Sequence, residues 1–354
     1  MSLRTVFSVC ALVGLCAFVL TPHPAVSAAE GPTLMSGGPL TFGPDDVLFI
    51  ADNAGAKIVA LELGDLVLGG TPGTKDVPGI DQKIAALLGT DAREIQINDL
   101  VVSATSKNAF ISVSRGRGAN ATPVLLRVDG TGKIDVISLA DVTYTTAALP
   151  NAPDANPEAR RDPRASSITD MAYVDGQLFI AGLSNEEFSS KLRSVAYPFS
   201  TVSEGTSVEI WHAAHGAFET RSPVYTFVPY EIDGEQNLIA GYLCTPLVKF
   251  PIGDLQPGAK VMGTTIAELG NRNRPLDMIV YQKDGKDFLL MSNTARGVMK
   301  IPTEHFGHQA GLTEPVSGGN KAGVSYETIA TMTGVDQLDL LDDQHVIVIA
   351  RNDA

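Results

Sequence analysis

One phrase recurs along this chain: an apolar run, a tight polar turn, a second apolar run, a loop rich in Gly, Asn or Asp, and a third apolar run. It is plainest over residues 273–302. There 276–281 and 288–291 flank the turn Lys283-Asp284-Gly285-Lys286, and 298–301 follows a Ser-Asn-Thr-Ala-Arg-Gly loop. Residues 40–63, 98–139, 167–211 and 223–264 repeat it, and 334–353 gives two strands of it before the chain stops. Aligned on the second strand, the equivalent first-strand positions are Thr41, Asp99, Asp170, Val228, Asp277 and Asp339, spaced by 58, 71, 58, 49 and 62 residues. A unit of four short strands at such a period cannot bury its faces alone and must stack against copies of itself. The expected fold is therefore all-β: a β-propeller of six blades of four-stranded antiparallel sheets, with the last blade incomplete.

The phrases Leu48-Phe49-Ile50-Ala51-Asp52-Asn53 and Gln177-Leu178-Phe179-Ile180-Ala181-Gly182 resemble the second-strand phrase of the exported NHL-like and YVTN-like propellers. The resemblance is at fold level over 37–353. It implies the architecture and transfers no catalytic residue.

Two segments interrupt the repeat. Residues 69–79 form a Gly/Pro/Thr loop leading into a short helix that Asp81 would cap and Gly89 would stop. Residues 147–164 lack apolar periodicity and read as a surface-loop insert within a single domain spanning 29–354. Ahead of that domain, Arg4, an apolar core over 6–20 and the small residues before Ala29 read as a signal peptide over 1–28. Its apolar run is short for a membrane span and no later stretch approaches one. An exported, monomeric protein of the periplasm or extracellular space is expected.

Removing 1–28 takes away Arg4 and no acid, so the formal charge moves from 26 − 40 = −14 to 25 − 40 = −15. This acidity argues against nucleic acid and anionic membrane as partners, and leaves a small molecule or a partner protein. Cys10 and Cys16 fall within the signal peptide. Cys244 then stands alone, more a buried small hydrophobe than a nucleophile unless a His or Arg lies beside it in space.

In a propeller the first strands begin at one rim of the central channel, so Asp99, Asp170, Asp277 and Asp339 would form an incomplete carboxylate ring. Converging carboxylates need compensation, which makes Ca²⁺ or another divalent cation a candidate; the alternative is that each Asp bonds backbone at its strand entrance. Loops of the same face offer Asn53, Arg117, Arg274, Asn293 and Arg296 as ligand contacts. The pairs His212/His215 and His305/His308 hold four of the five histidines outside the signal peptide. The first pair would sit at the mouth, with His212 or His215 as a candidate general base or metal ligand, and the second pair on the opposite face.

There is no Cys-x-x-Cys-His for covalent haem, one Trp where quinoprotein dehydrogenases repeat it, and no Gly-x-Ser-x-Gly elbow. Three functions stay open. The first is an exported propeller that binds a ligand or partner protein through its loop-rich face. The second is a Ca-type metal-dependent hydrolase resembling six-bladed lactonases. The third is an accessory subunit of a periplasmic redox assembly.

Overall fold

The computed structural model describes residues 31–156, 158–159, 162–317 and 321–351; the expected signal peptide lies outside them. Five sheets of four or more strands and one two-stranded hairpin stand around a common axis, giving an all-β propeller. Pairing is antiparallel throughout but for one contact.

The first blade consists of Leu40–Phe42, Val47–Asp52, Lys57–Glu62 and Thr143–Ala148, and the second of Ile95–Val102, Ala109–Arg115, Thr122–Val128 and Ile134–Val136. The third begins with Asp170–Val174, Gln177–Leu183, Ser190–Ala196 and Thr206–His212, and ends on Ala217–Glu219. The fourth holds Thr226–Ile232, Glu235–Gly241, Pro246–Pro251 and Thr264–Glu268, extended by Ala322–Gly323. The fifth holds Pro275–Lys283, Lys286–Asn293, Gly297–Pro302 and Glu327–Ile329, and the hairpin pairs Val335–Leu340 with Val346–Ala350.

Local chemistry explains the module. Second strands are covered on both faces by neighbouring blades, so they read as continuous apolar runs; every residue of Val47–Asp52 is buried. The first-to-second-strand turns Asp175-Gly176, Asp233-Gly234 and Asp284-Gly285 all carry positive φ at both residues, the two-residue geometry that matches strand twist. Apolar clusters sit between successive blades: Phe49, Ile58 and Ala60 of the first blade pack on Leu178 and Ile180 of the third, and Leu238 and Phe250 of the fourth pack on Leu192 and Ile210 of the third.

Around the axis the inner strands neighbour one another in the order second blade, first, third, fourth, fifth, hairpin, and back to second. The first blade thus lies between the second and third. Its outer strand, Thr143–Ala148, arrives only after the whole second blade has been traced, pairing with Lys57–Glu62. The seam falls between the hairpin and the second blade, where Leu341, Ile347 and Ile349 pack on a cluster containing Ile84, Val102 and Leu126.

Some sequence expectations are corrected here. The 147–164 loop starts later than read, because Ala147 and Ala148 complete that outer strand. Lys260–Met262, within the fourth repeat of the phrase, pairs in parallel with Thr206–His212 of the third blade, and Thr264–Glu268, at and beyond the end of that repeat, takes the fourth blade's outer place. The helix is Ile80–Leu88 with Gly89 in the left-handed region at its end; Gly79 occupies the N-cap and Asp81 lies within the first turn. Among the described residues no helix is long and apolar enough to cross a membrane.

Candidate functional site

The inner strands open onto a cavity of about 400 Å³ at the rim where they begin. Each of the six inner strands, or the residue entering it, contributes to its wall: Pro39, Asp99, Asp170, Thr226, Asp277 and Gln337. The alignment from sequence placed Thr41, Val228 and Asp339 in this ring. Each stands two residues further along its strand than the residue that lines the cavity. Asp339 is therefore one pleat deeper in the channel, outside the cavity lining.

The aspartates share one bonding scheme. Asp99 Oδ1 accepts from its own following amide, Leu100 N (2.8 Å), and Oδ2 accepts from Leu40 N of the first blade (2.6 Å). Asp170 likewise takes Met171 N (2.7 Å) and Phe227 N of the fourth blade (2.7 Å), and Asp277 takes Met278 N (2.8 Å) and Leu338 N of the hairpin (2.8 Å). Asp339 takes Leu340 N (2.7 Å) and Val102 N of the second blade (2.7 Å). Four of the six junctions are thus stapled by a carboxylate, all in the same rotational sense. Gln337, with its amide nitrogen turned toward the acids, reaches Asp99 Oδ1 at 2.8 Å and Asp277 Oδ2 at 3.1 Å.

These residues are half-buried along the channel wall, yet the surrounding protein removes most of the hydration of their carboxyls. That desolvation raises Asp170 and Asp339 to about 6 against the pull of their amide bonds. Asp99 and Asp277 go well above the usual carboxylate range: burial leads in both, and neighbouring aspartates add repulsion. The mouth is an array of acceptors that become donors as they protonate. Arg274 stands at its rim, its guanidinium carbon 4.5 Å from the Tyr225 ring centre.

Of the loop candidates, Arg274 and Asn53 line the cavity; Arg117, Asn293 and Arg296 do not. Arg117 bonds the carbonyls of Arg93 and Ile95, Asn293 caps its own turn through Gly297 O and Arg296 N, and Arg296 reaches Gly270 O and Asn271 O. Their polar ends go to loop backbone that would otherwise lack partners. Asn53 is structural as well, since its Nδ2 donates to Ala165 O (2.9 Å) and Ile168 O (2.6 Å) and ties the first blade to the third. Asn53→Ala should lower stability by about 1–2 kcal/mol, read as a shifted urea midpoint at unchanged slope. An unmoved midpoint would deny it that role.

His212 and His215 lie on the face of the mouth, in the groove between the third and fourth blades. His212 ends the strand Thr206–His212 and His215 occupies the turn after it. The imidazole centres are 3.8 Å apart, and Glu219 Oε1 is 3.0 Å from His212 Nδ1 and 2.6 Å from His215 Nδ1. Burial works to raise the Glu219 carboxyl, but the two imidazoles outweigh it and hold the group below its usual range. Cys244, in the fourth blade's turn between Glu235–Gly241 and Pro246–Pro251, comes to the same place. One nitrogen of each ring and the Cys244 Sγ lie within 4.8 Å of one another. His305 and His308 follow Gly297–Pro302, where Gly307 packs against Asp233 of a hairpin turn on the opposite face.

Sequence reading did not find Gln337, Thr226 and Tyr225 at the mouth, or Glu219, Glu268 and Cys244 beside the histidines. A two-residue register error hid the first group. The second is split across two blades, where only spatial neighbourhood joins the parts.

No family model and no curated protein matches this chain. Among solved structures it is similar to the PQQ-bound aldose sugar dehydrogenase of Streptomyces coelicolor, with 12% identity, 93% of each chain covered and a TM-score of 0.31. It is also similar to the β-propeller domain of Cps50 (Swd1) from Myceliophteria thermophila, with 9% identity, 89% of this chain and 92% of that one covered, and a TM-score of 0.34. Neither likeness says anything about the site.

Proposed function

We propose that this chain is an exported binding propeller, with the hairpin as its sixth blade, that seats a small hydroxylated ligand in the channel mouth. The carrying observation is the convergence of Asp99, Asp170, Asp277, Gln337 and Thr226, from five separate strands, on one cavity of about 400 Å³. That volume suits a ligand of monosaccharide size or somewhat larger. Carboxyls close to protonation both donate and accept, the pairing that vicinal hydroxyls require. Tyr225 adds a ring and Arg274 a charge at the rim. Export is part of this proposal and rests on the signal-like stretch over 1–28.

A divalent cation held by Asp99, Asp170 and Asp277 is the second reading. It is favoured by three desolvated carboxylates whose cavity lining has Arg274 as its one basic side chain. Calorimetric titration separates the two. A panel of monosaccharides and polyols, and separately Ca²⁺ and Mg²⁺, is titrated into wild type, Asp277→Asn and Arg274→Ala. The proposal expects saturable binding of a panel member, weakened about tenfold or more by Asp277→Asn. Arg274→Ala should weaken it while lowering stability by no more than about 1 kcal/mol, because Arg274 is exposed and its side chain stands over the Tyr225 ring in a surface contact. If no hydroxylated compound binds while Ca²⁺ does, the second reading replaces the first. If nothing in either set binds, the mouth is not a small-molecule site.

A further inference from the structure

We propose that His212, His215 and Cys244 form a binding site for a soft or borderline transition-metal ion, zinc or copper, in the groove between the third and fourth blades. Two imidazoles and a thiol are the donors such ions select, whereas the carboxylates of the channel mouth suit hard cations. The three donor atoms already fall within 4.8 Å of one another. A tetrahedral site with bonds of about 2.0–2.3 Å needs donors roughly 3.5 Å apart, so side-chain rotation moving each by about an ångström closes it.

An independent observation points the same way. His212 is 1% exposed, yet among the described residues neither ring nitrogen has a hydrogen-bond partner. Its Nδ1 is near Glu219 but misaligned with it, and its Nε2 faces no acceptor at all. A buried imidazole left so costs free energy unless something else takes its lone pair. Glu268, ending the fourth blade's strand Thr264–Glu268, repeats the pattern against the same turn: it is wholly buried, Oε1 accepts the Ala214 amide at 3.1 Å, and Oε2 is unpartnered among the described residues.

The surroundings fit a metal's outer shell. Glu219 Oε1 bonds His215 Nδ1 (2.6 Å), which would fix that ring's tautomer and leave its Nε2 for the ion, the usual metal–histidine–carboxylate relay, and it lies 3.0 Å from His212 Nδ1. Cys244 is presented by a turn in which it and Thr245 both take left-handed backbone, φ 64° and 60°, a conformation L-residues avoid. The turn is pinned by Cys244 N to Asn273 O (2.7 Å), Thr245 N to Tyr242 O (2.8 Å) and Thr245 Oγ1 to Gly270 O (2.9 Å). Three ligands would leave a fourth position of a tetrahedral ion for water or another donor.

The test uses full-length protein kept reduced, with Co²⁺ as a spectroscopic probe and Zn²⁺ and Cu⁺ as competitors. Wild type should bind one Co²⁺ per chain, with a thiolate-to-cobalt charge-transfer band that Zn²⁺ or Cu⁺ bleaches; which competitor acts at lower concentration identifies the preferred ion. Cys244→Ser should abolish the band. His215→Ala, at an exposed position where folding is not in question, should weaken Co²⁺ binding by about tenfold or more, and Glu219→Gln by about 10–100-fold. Melting of each metal-free variant confirms that it is folded. Absence of stoichiometric Co²⁺ or Zn²⁺ binding, or a charge-transfer band that survives Cys244→Ser, overturns the proposal.

Discussion

Asp339→Ala should lower the stability of the whole ring by about 2–4 kcal/mol and the melting temperature by about 5–10 °C. Among the described residues the seam between the hairpin and the second blade is held by the carboxylate of Asp339, the Gln337 amide reaching Asp99 Oδ1 (2.8 Å) and one apolar cluster. Hydrogen bonds to a charged acceptor contribute about 1.5–3 kcal/mol each, and releasing a desolvated carboxylate returns part of that. Val102 is buried, so its amide finds no water in exchange. Asp339→Asn keeps one acceptor and should fall between wild type and Ala. Asp343→Ala, at an exposed position close by, is the control and should change nothing. Equal melting temperatures for Asp339→Ala and Asp343→Ala would show that the seam does not depend on this staple.

A second large effect is the dependence of stability on pH, and its sign is unusual for an acidic protein. Burial raises Asp170 and Asp339 to about 6 in the folded chain, from 3.8 for an ordinary aspartate, and Asp99 and Asp277 are also raised well above the usual carboxylate range. The native state therefore binds more protons than the unfolded state between about pH 4 and pH 6, and stability must fall as pH rises through that window. Below about 4 the slope reverses. Asp129 is held well below the usual range, first by the Thr131 hydroxyl and then by three backbone amides, and Asp135 is held down by Lys133 and Arg127. These groups stabilise the fold above pH 4 and lose that contribution as they protonate in acid. Melting temperature against pH should peak near 4–5, with a loss of about 2–4 kcal/mol from the peak to pH 7 after allowing for channel solvent. Asp170→Asn should flatten the descending side. A wild-type melting temperature that climbs steadily from pH 4 to pH 7 would contradict the raised carboxyls.

How much of this was legible beforehand follows from what each signal depends on. The blades were, because a strand buried on both faces must be apolar throughout, and Asp-Gly turns announce their hairpins. The order of the blades was not. Nothing in residues 143–148, Thr-Tyr-Thr-Thr-Ala-Ala, says that they pair back across 80 intervening residues (63 to 142) with Lys57–Glu62. The aspartates were found by alignment and placed at one rim correctly for Asp99, Asp170 and Asp277. Their dual bonds, to their own strand and to the next, make them part of the frame as well as of the mouth, so Asp277→Ala should cost stability along with binding. Cys244 was read as a small hydrophobe on composition. Its two histidine neighbours lie 29 and 32 residues back (244 − 215 and 244 − 212), on another blade, beyond the reach of any spacing rule.

The late arrival of Thr143–Ala148 bears on how the polypeptide is made. As the chain emerges from its N-terminal end, the first blade can assemble only three strands, leaving the edge of Lys57–Glu62 unpaired until 80 more residues have followed. A nascent chain halted short of residue 143 should accordingly be prone to edge-to-edge association, while one halted just past 148 should already hold two neighbouring sheets in final form. The order of synthesis and the order of the ring are different sequences, and the first blade must wait for the second.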